Sequence, residues 1–371
     1  MSKERHYFPG NNTPLGFFSY YKYIIGQREA NKIICIKGGP GTGKSTFMKK
    51  VAEYFSNKSE DIDYLHCSAD ENSLDGVLLT NRKVAIIDGT SPHIIDPVTP
   101  GAVDKIINLG EFWNEKGISL NKEEIIDLNE ETSRWYRIAY NYLNAAKSVY
   151  KSLEEIYNTA AESSEIYRVV ADVIAKEYDN IDISLRPGKV KKFFASAITA
   201  SGIVHYFPSL LEDMKCVYLI NTPVGYTNNS FMEIVSEGAI YRGLDVECYY
   251  CSMSPDQKIE HIIIPQLKTA FMTINTYHDI EPWEIFDLWE YDREIVLIDM
   301  NDYMDGYKVA KSEDLIKSLT DEFDVLLNKT FMNLSKAKKT HLKVENMYVP
   351  NMNFTEVNGV ADKLIDEIEK E

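Results

Sequence analysis

The sequence predicts an α/β protein of two homologous halves, each a three-layer α/β/α arrangement around a mostly parallel sheet with a long helical arm. Three observations lead to this fold class. Short apolar runs alternate with helical segments, the chain repeats itself after 184 residues, and a glycine-rich segment joins a strand to a helix. Strands that alternate with helices are typical of parallel sheets, because a crossover between parallel strands needs a helix or a similar length of chain.

Composition and charge narrow the class of protein. The chain has 371 residues, of which 44% are hydrophobic, and a net charge of -17. This length accommodates two domains, and the negative charge repels phosphate backbones at long range, so nucleic acid is not an expected partner. Two lysine clusters could still form local basic grooves, although lysines on a solvated helix face are the commoner arrangement. The clusters are Lys189, Lys191 and Lys192, and Lys336, Lys338 and Lys339.

The sequence also indicates where the protein resides. The first residues lack the apolar stretch of a signal peptide, and no apolar run reaches membrane-spanning length. Five cysteines in a chain this long do not suggest a disulfide framework. We therefore expect a cytoplasmic protein without membrane contact, which could be an oligomer.

The internal repeat is visible around the glycine-rich segment. Residues 36–51 read IKGGPGTGKSTFMKKV, and residues 220–235 read INTPVGYTNNSFMEIV. The matches continue along the chain in order and with nearly constant spacing, as in Lys147 with Lys338. Such self-similarity predicts two copies of one structural unit. We place the boundary near Arg186 and expect domains at 1–187 and 188–371. Five pairs share the offset of 184, namely Ile36/Ile220, Gly41/Gly225, Phe47/Phe231, Met48/Met232 and Val51/Val235.

Each half has the same expected order of elements. In the first half, a strand over 32–36 enters the glycine-rich loop, a helix begins near Lys44, and further strands follow at 62–67 and 84–87. Beyond them lies a stretch almost free of glycine and proline, with apolar residues at three- and four-residue steps. This spacing predicts a long amphipathic helical arm, folded as a hairpin, over about 112–180, with a second arm over about 305–371.

The segment Gly38 to Thr46 fits the pattern G-x-x-x-x-G-K-S/T, a P-loop. Its glycines can adopt positive φ, so that backbone N–H groups surround an oxyanion, and the following helix directs its positive end at the phosphates. Lys44 would reach the β- and γ-phosphates, and Ser45 would offer a hydroxyl to Mg²⁺. The expected binding residues are Gly38, Gly39, Pro40, Gly41, Thr42, Gly43, Lys44, Ser45 and Thr46.

Carboxylates after the next two strands are the candidates for metal binding and catalysis. Asp88 ends an apolar strand, at the sheet edge where the loop lies, and is expected to help hold Mg²⁺. Asp70 is the first candidate for the residue that polarises the attacking water, ahead of Glu71 and Asp75, with capping of a following helix as the equally weighted alternative. His66 and His93 could contact phosphate, although a lone histidine near a strand end is more often structural. The expected catalytic set is Lys44, Asp70 and Asp88.

The second copy has lost the polar residues of the first. At the aligned positions Lys44 is Asn228 and Asp88 is Thr273, while the apolar positions persist. This pattern is expected if the polar residues serve nucleotide chemistry and the apolar ones serve the fold. We therefore expect the second half to be a structural or regulatory pseudo-NTPase. The other changes are Gly38 to Thr222, Gly43 to Thr227, Asp70 to Ser254 and Asp75 to Ile259.

These motifs resemble P-loop NTPases of the AAA/RecA-like division. More narrowly, nearly the whole chain is similar to an uncharacterised bacterial family of tandem P-loop proteins that are often labelled ATPases. The resemblance implies ATP as the bound nucleotide, and the absence of a well-placed N-K-x-D also disfavours GTP. In that family the second loop is often intact, so NTPVGYTNNS departs from it. The motifs are KGGPGTGKST at Lys37, HCS-x-D at His66, LDGV at Leu74, AIIDGT-x-PH at Ala85 and FASAIT at Phe194.

Three functions stay open at this point. The first is a Mg²⁺-dependent ATPase whose arms couple nucleotide state to an unknown protein partner or to the second half. An activating arginine would be supplied in trans or by the other half, with Arg242 and Arg186 as guesses. The second is a kinase for a small molecule or nucleotide, whose lid would use Arg134, Arg137 and Arg168. The third is a nucleotide-gated scaffold with little turnover.

Overall fold

The structure is a computed structural model that describes residues 2–90, 95–226, 229–280 and 293–370. It is a mixed α/β protein with two mostly parallel six-stranded sheets and helices packed on them. We call residues 1–187 the first half and residues 188–371 the second half.

The first sheet contains five strands that point in one direction and one that runs opposite. Its strands are β1 (Glu4–Tyr7), β4 (Lys32–Lys37), β5 (Ile62–His66), β6 (Leu74–Leu79), β7 (Val84–Asp88) and β8 (Asp104–Asn108). Their spatial order is β1-β5-β6-β7-β4-β8. A separate two-stranded hairpin is formed by β2 (Gly10–Thr13) and β3 (Gly16–Ser19). The inner residues of β4 are buried between parallel neighbours, as an unbroken apolar run such as IICI requires.

The second sheet repeats this order strand for strand. Its strands are β9 (Val190–Phe193), β12 (Cys216–Asn221), β13 (Val246–Tyr250), β14 (Ile259–Ile264), β15 (Thr269–Ile274) and β16 (Glu294–Asp299). Their order is β9-β13-β14-β15-β12-β16. A separate hairpin is formed by β10 (Ser196–Thr199) and β11 (Gly202–His205). The strand order therefore agrees with the repeat that the sequence predicts.

The helices begin and end at defined residues. They are α1 (Lys44–Ser56), α2 (Glu115–Ser119), α3 (Lys122–Ala160), α4 (Ser163–Tyr178), α5 (Phe207–Leu211), α6 (Asn229–Tyr241), α7 (Gly306–Lys311), α8 (Glu313–Tyr348) and α9 (Phe354–Lys370), with short 3-10 turns at Tyr21–Tyr23, Leu109–Phe112, Met300–Tyr303 and Val349–Asn351. The first arm thus consists of α2 to α4 and the second of α7 to α9.

One alternative for the region after β5, a helix capped by Asp70, was wrong. No helix follows Asp70, because β6 returns as an antiparallel strand between β5 and β7. All six residues of β6 are buried, so the segment LDGVLL fills the middle of the sheet rather than one face of a helix.

Strand register also corrects one pair of the internal alignment. Tyr64 pairs with Val77 in the first sheet, and Cys248 pairs with Ile262 in the second. The extra residue of the second half therefore precedes β14, which makes Glu260 the counterpart of Asp75. The carboxylate at this position is kept, not lost.

The long helices of the two halves pair with each other rather than within each arm. Asn114 N donates to Asn351 O at 2.7 Å, and Glu162 N donates to Tyr303 O at 2.9 Å, so α3 and α8 run antiparallel with their ends tied together. The hairpin expected within each arm is instead a pair formed across the halves. Its shared core is Ala139, Leu143, Ala146, Phe323, Leu327 and Leu334.

The last helix of each half packs on the sheet of the other half. Buried residues of α9 join the core of the first sheet through Val357, Ala361, Leu364, Ile365 and Ile368. Buried residues of α4 join the core of the second sheet through Ile166, Val170, Val173 and Tyr178. The two halves are thus exchanged at their C-terminal helices, and each supplies part of the other's hydrophobic core.

Candidate functional site

The glycine-rich loop lies between β4 and α1, where the sequence predicts it. Gly41 has φ 65° and Gly43 has φ 85°, a left-handed conformation that favours glycine. Thr42 is buried, and its Oγ1 donates to Gly39 O at 2.9 Å. Gly43 directly precedes α1, so the loop and the unpaired N–H groups of the helix start lie together. Gly38, Pro40 and Thr46 belong to the same loop and first helical turn.

Lys44 is held against the loop that precedes it. Its ammonium donates to Gly38 O at 3.0 Å and to Gly39 O at 2.9 Å, and lies 3.7 Å from Asp88 Oδ2. Both charged side chains are mostly buried, with 14% and 12% of their surface exposed. A cation and a carboxylate therefore face each other at the mouth of the loop.

Asp88 and Ser45 supply the oxygen atoms that the sequence assigns to a metal ion. Asp88 ends β7 beside β4, and its Oδ1 accepts from Thr90 N at 2.9 Å and Thr90 Oγ1 at 2.5 Å. Ser45 Oγ accepts from Leu74 N at 3.0 Å. A carboxylate and a hydroxyl are ligands that suit Mg²⁺, which keeps several waters and binds through one or two protein oxygens plus phosphate. The two residues expected to bind metal thus fit that ion.

Asp70 and Glu71 pair with a lysine of the second half. Lys338 Nζ on α8 lies 2.7 Å from Asp70 Oδ1 and 3.3 Å from Glu71 Oε2. Ser73 donates to Asp70 and Ser201 donates to Glu71, each at 2.6 Å. Burial alone would raise the pKa of Asp70, but the hydrogen bonds from Lys338 and Ser73 lower it below its ordinary value. Asp70 is therefore ionised at neutral pH, which favours orienting a water over strongly accepting its proton.

The remaining polar candidates after β5 have structural partners. Tyr21 donates to Asp75 Oδ2 at 2.6 Å, and Asp75 is only 3% exposed. His66 bonds to His6 and to Glu71 O, and burial lowers its pKa to about 4. Asp75 and His66 are thus buried, hydrogen-bonded components of the fold. His93 lies outside the described residues.

One face of α8 covers the glycine-rich loop, which sequence reasoning missed. Lys338, His341, Glu345 and Tyr348 recur at three- and four-residue steps along that face. A Cβ added to Gly41 would lie only 3.0 Å from Glu345 O, and a Cβ added to Gly39 would lie 3.2 Å from the Tyr348 ring, so both contacts are close. The only signal in the sequence was the repeat that aligns Lys338 with Lys147.

The guessed arginines lie elsewhere. Arg242 follows the C-terminal end of α6, where it donates to Ile181 O and Gly238 O, both at 3.0 Å. Arg186 belongs to the same region, since Arg186 O would lie 3.1 Å from a Cβ on Gly243. Arg242 and the backbone of Arg186 therefore lie at the C-terminal end of α6, and the guess that either acts as an activating arginine stays a prediction.

The corresponding loop of the second half has different surroundings. Gly225 keeps a left-handed φ of 93°, but a Cβ there would meet the Leu153 side chain of α3 at 2.6 Å. Lys258, 4% exposed, donates to Tyr226 O at 2.9 Å and to Tyr150 Oη at 2.8 Å. Thr273, the counterpart of Asp88, is buried on β15. Residues 227 and 228 lie outside the described part of the chain.

A small cavity lies beside this second loop. Its lining mixes apolar groups with a lysine, a carboxylate and a histidine. Glu260 Oε2 lies 3.7 Å from His278 Nε2, and both residues are buried with His261. The site is polar, but it lacks counterparts of Lys44 and Asp88 and the glycine pattern of the first loop.

Comparisons with known proteins give one short match. The family model described as Nephrocystin 3, N-terminal, matches residues 19–82, which include the glycine-rich loop and continue to the end of β6. The matched segment is 64 of the 371 residues, too little to assign the chain to that family. No curated protein and no solved structure matches the chain. Within the described residues, every helix is too short or too polar to cross a membrane.

Proposed function

We propose that the protein is a Mg²⁺-dependent P-loop ATPase that binds and hydrolyses ATP in its first half. The observation that carries the proposal is the position of Lys44, which starts α1, contacts the loop carbonyls and faces Asp88 at the sheet edge. A triphosphate in the loop would take over the lysine from these carbonyls, because a phosphate oxygen is a stronger partner for an ammonium.

The roles follow from the chemistry of each group. The loop from Gly38 to Thr46 would supply N–H donors to the phosphates, and Lys44 would compensate the charge on the β- and γ-phosphates. Ser45 and Asp88 would hold Mg²⁺, which would neutralise negative charge on the phosphates. Asp70 would orient the attacking water, since its carboxylate is ionised and follows β5, which points in the same direction as β4 and β7 in the first sheet.

The loop of the second half would not bind and hydrolyse nucleotide itself. Its loop is covered by Leu153, and its metal position carries Thr273. A threonine hydroxyl has no charge, so it binds Mg²⁺ far more weakly than a carboxylate does. We assign this half a pseudo-NTPase role, in which it covers and stabilises the working site.

Phosphate release from ATP by the purified chain tests the proposal. We expect turnover that requires Mg²⁺, and we expect Lys44→Ala to lose both turnover and ATP binding. The matched control is Lys50→Ala, which removes a lysine of the same helix that pairs with Asp362 on the surface. ATP binding by Lys44→Ala as tight as that of the parent would show that the site is misplaced.

The same assay separates the alternatives. A kinase would release little phosphate until an acceptor is supplied and would then form a phosphorylated product. A nucleotide-gated scaffold would bind ATP without turning it over. Either result would replace hydrolysis as the function of this site.

A further inference from the structure

We propose that Lys338 is the cation through which the second half senses the γ-phosphate and promotes its release. The inference rests on the proposed ATPase function and adds a regulatory group to that site. In the structure as described, Lys338 bridges Asp70 and Glu71; with ATP bound, it would bridge Asp70 and the γ-phosphate.

The position of Lys338 is fixed by the face of α8 that covers the loop. His341 lies one turn further along this face. Burial lowers its pKa, the charges of Glu345 and Asp70 raise it, and the charge of Lys44 lowers it. Glu345, one turn beyond, brings its carbonyl against Gly41. The side chains on this face therefore extend from the carboxylates after β5 to the phosphate loop.

The ammonium of Lys338 has the capacity for such an exchange. An ammonium carries three donors, and only two carboxylates lie within ion-pair distance of this one in the described residues. Its side chain is 25% exposed and has a long flexible stem, so it can turn without movement of α8.

Electrostatics give the reason for the exchange. The γ-phosphate of ATP would place negative charge close to the carboxylate of Asp70, and like charges at such distances repel strongly in a partly buried site. A cation between them removes this repulsion. Lys338 therefore favours ATP over ADP and also stabilises the charge that develops on the transferring phosphoryl group.

The other half contains a natural comparison for this contact. Lys147, the repeat counterpart of Lys338, donates to Ser254, the counterpart of Asp70. The two lysines make the same contact between an arm and the turn after a strand. Lys338 has two carboxylates within ion-pair distance, whereas the hydrogen bond of Lys147 goes to a neutral serine hydroxyl. The lysine that pairs with carboxylates therefore lies beside the loop that keeps Lys44.

The consequence is a link between nucleotide state and the paired arms. Release of the γ-phosphate would return Lys338 to Glu71 and alter the charge on one face of α8. Because α8 packs along α3 and α3 contacts the second loop through Leu153, the change would reach the second loop through α3.

The test compares Lys338→Met with Lys147→Met in the full-length protein. We expect Lys338→Met to lower kcat about 100-fold, because the removal of one hydrogen-bond donor that stabilises charge in a transition state has an effect of this size. It should weaken ATP binding about tenfold relative to ADP binding, because one hydrogen bond between charged groups would be lost with ATP alone. Lys147→Met should leave kcat and the ATP-to-ADP affinity ratio within twofold of the parent, and Lys338→Arg should recover part of the activity.

The outcomes separate the two proposals. Unchanged kcat and an unchanged affinity ratio in Lys338→Met would overturn the role of Lys338 while leaving the ATPase intact. Equal loss of ATP and ADP binding, with no recovery in Lys338→Arg, would also overturn it, because a purely structural contact does not distinguish the nucleotides. Absence of ATP binding in the parent would overturn the proposed function itself.

Discussion

The ring of Phe354 packs against Gly43, since a Cβ added to this glycine would lie 3.2 Å from Cε1 of the ring. Phe354 is the first residue of α9, and Gly43 is the last loop residue before α1. The C-terminal helix of the chain therefore begins at the candidate phosphate site and continues into the core of the first sheet. The integrity of the site depends on a helix that follows it by more than 300 residues in sequence.

Loss of packing on α9 should destabilise the first half. Leu364 is 2% exposed in the core of the first sheet, and truncation of such a residue costs about 2–5 kcal/mol. We expect Leu364→Ala to lower the free energy of unfolding in urea by this amount. Lys363→Ala, at an exposed position of the same helix, should change it by less than about 0.5 kcal/mol.

The exchanged helices also bear on the isolated first half. Residues 1–187 without α9 would expose the apolar surface of α1 and its sheet, and their own α4 would lack the second sheet on which it packs. We expect this fragment to aggregate or to remain without a cooperative unfolding transition. A soluble fragment with parent-like stability would show that the exchange is unnecessary for folding.

Asp88→Asn should change the response of turnover to Mg²⁺. The amide keeps the shape of the side chain but removes the charge that faces Lys44 and the metal position. We expect the Mg²⁺ concentration at half-maximal turnover to rise at least about tenfold and kcat to fall about 100-fold. The control is Asp96→Asn, which removes an exposed carboxylate that pairs with Lys37. Parent-like Mg²⁺ dependence in Asp88→Asn would remove Asp88 from the metal site.

His66 should make the protein less stable in mild acid. Burial lowers the pKa of His66 to about 4, whereas an unfolded histidine titrates near its ordinary 6.5. As the pH falls between these values, the unfolded state takes up a proton that the folded state refuses, so stability is lost across this window and not below it. The expected contribution is about 1.4 kcal/mol per pH unit and about 3 kcal/mol in total.

Unfolding of His66→Phe across the same pH range measures this contribution. The aromatic ring keeps the stack on Tyr206, whose centroid lies 4.2 Å from that of His66, and removes the titrating group. Between pH 6.5 and 4, the free energy of unfolding of the variant should therefore fall less steeply with decreasing pH than that of the parent. The same dependence of the free energy of unfolding on pH in variant and parent would mean that His66 takes up its proton equally well in the folded and unfolded states. Burial also lowers the pKa of His205 to about 4, so some acid sensitivity should persist.

The local features of the first loop were predictable from the sequence. An apolar run, glycines that permit positive φ and a following helix are determined by residues that are adjacent in the chain. The start of α1 at Lys44 and the end of β7 at Asp88 agree with expectation within one residue. The repeat similarly predicted that both sheets share one strand order, because copies that keep the same core residues keep the same topology.

Features that depend on distant residues were not predictable in this way. Apolar periodicity shows that α9 has a buried face but does not show which sheet covers it. Burial on both faces removes the alternation that would have identified β6 as a strand. The contact between Lys338 and Asp70 joins residues far apart in sequence, and lysines in a charged helix give no signal of their partners.

The number of ATP sites per chain tests the account most directly. Equilibrium dialysis with a non-hydrolysable ATP analogue and Mg²⁺ should give one site per chain, and Lys44→Ala should remove it. Two sites per chain, or one site that survives Lys44→Ala, would contradict the assignment of nucleotide binding to the first loop alone.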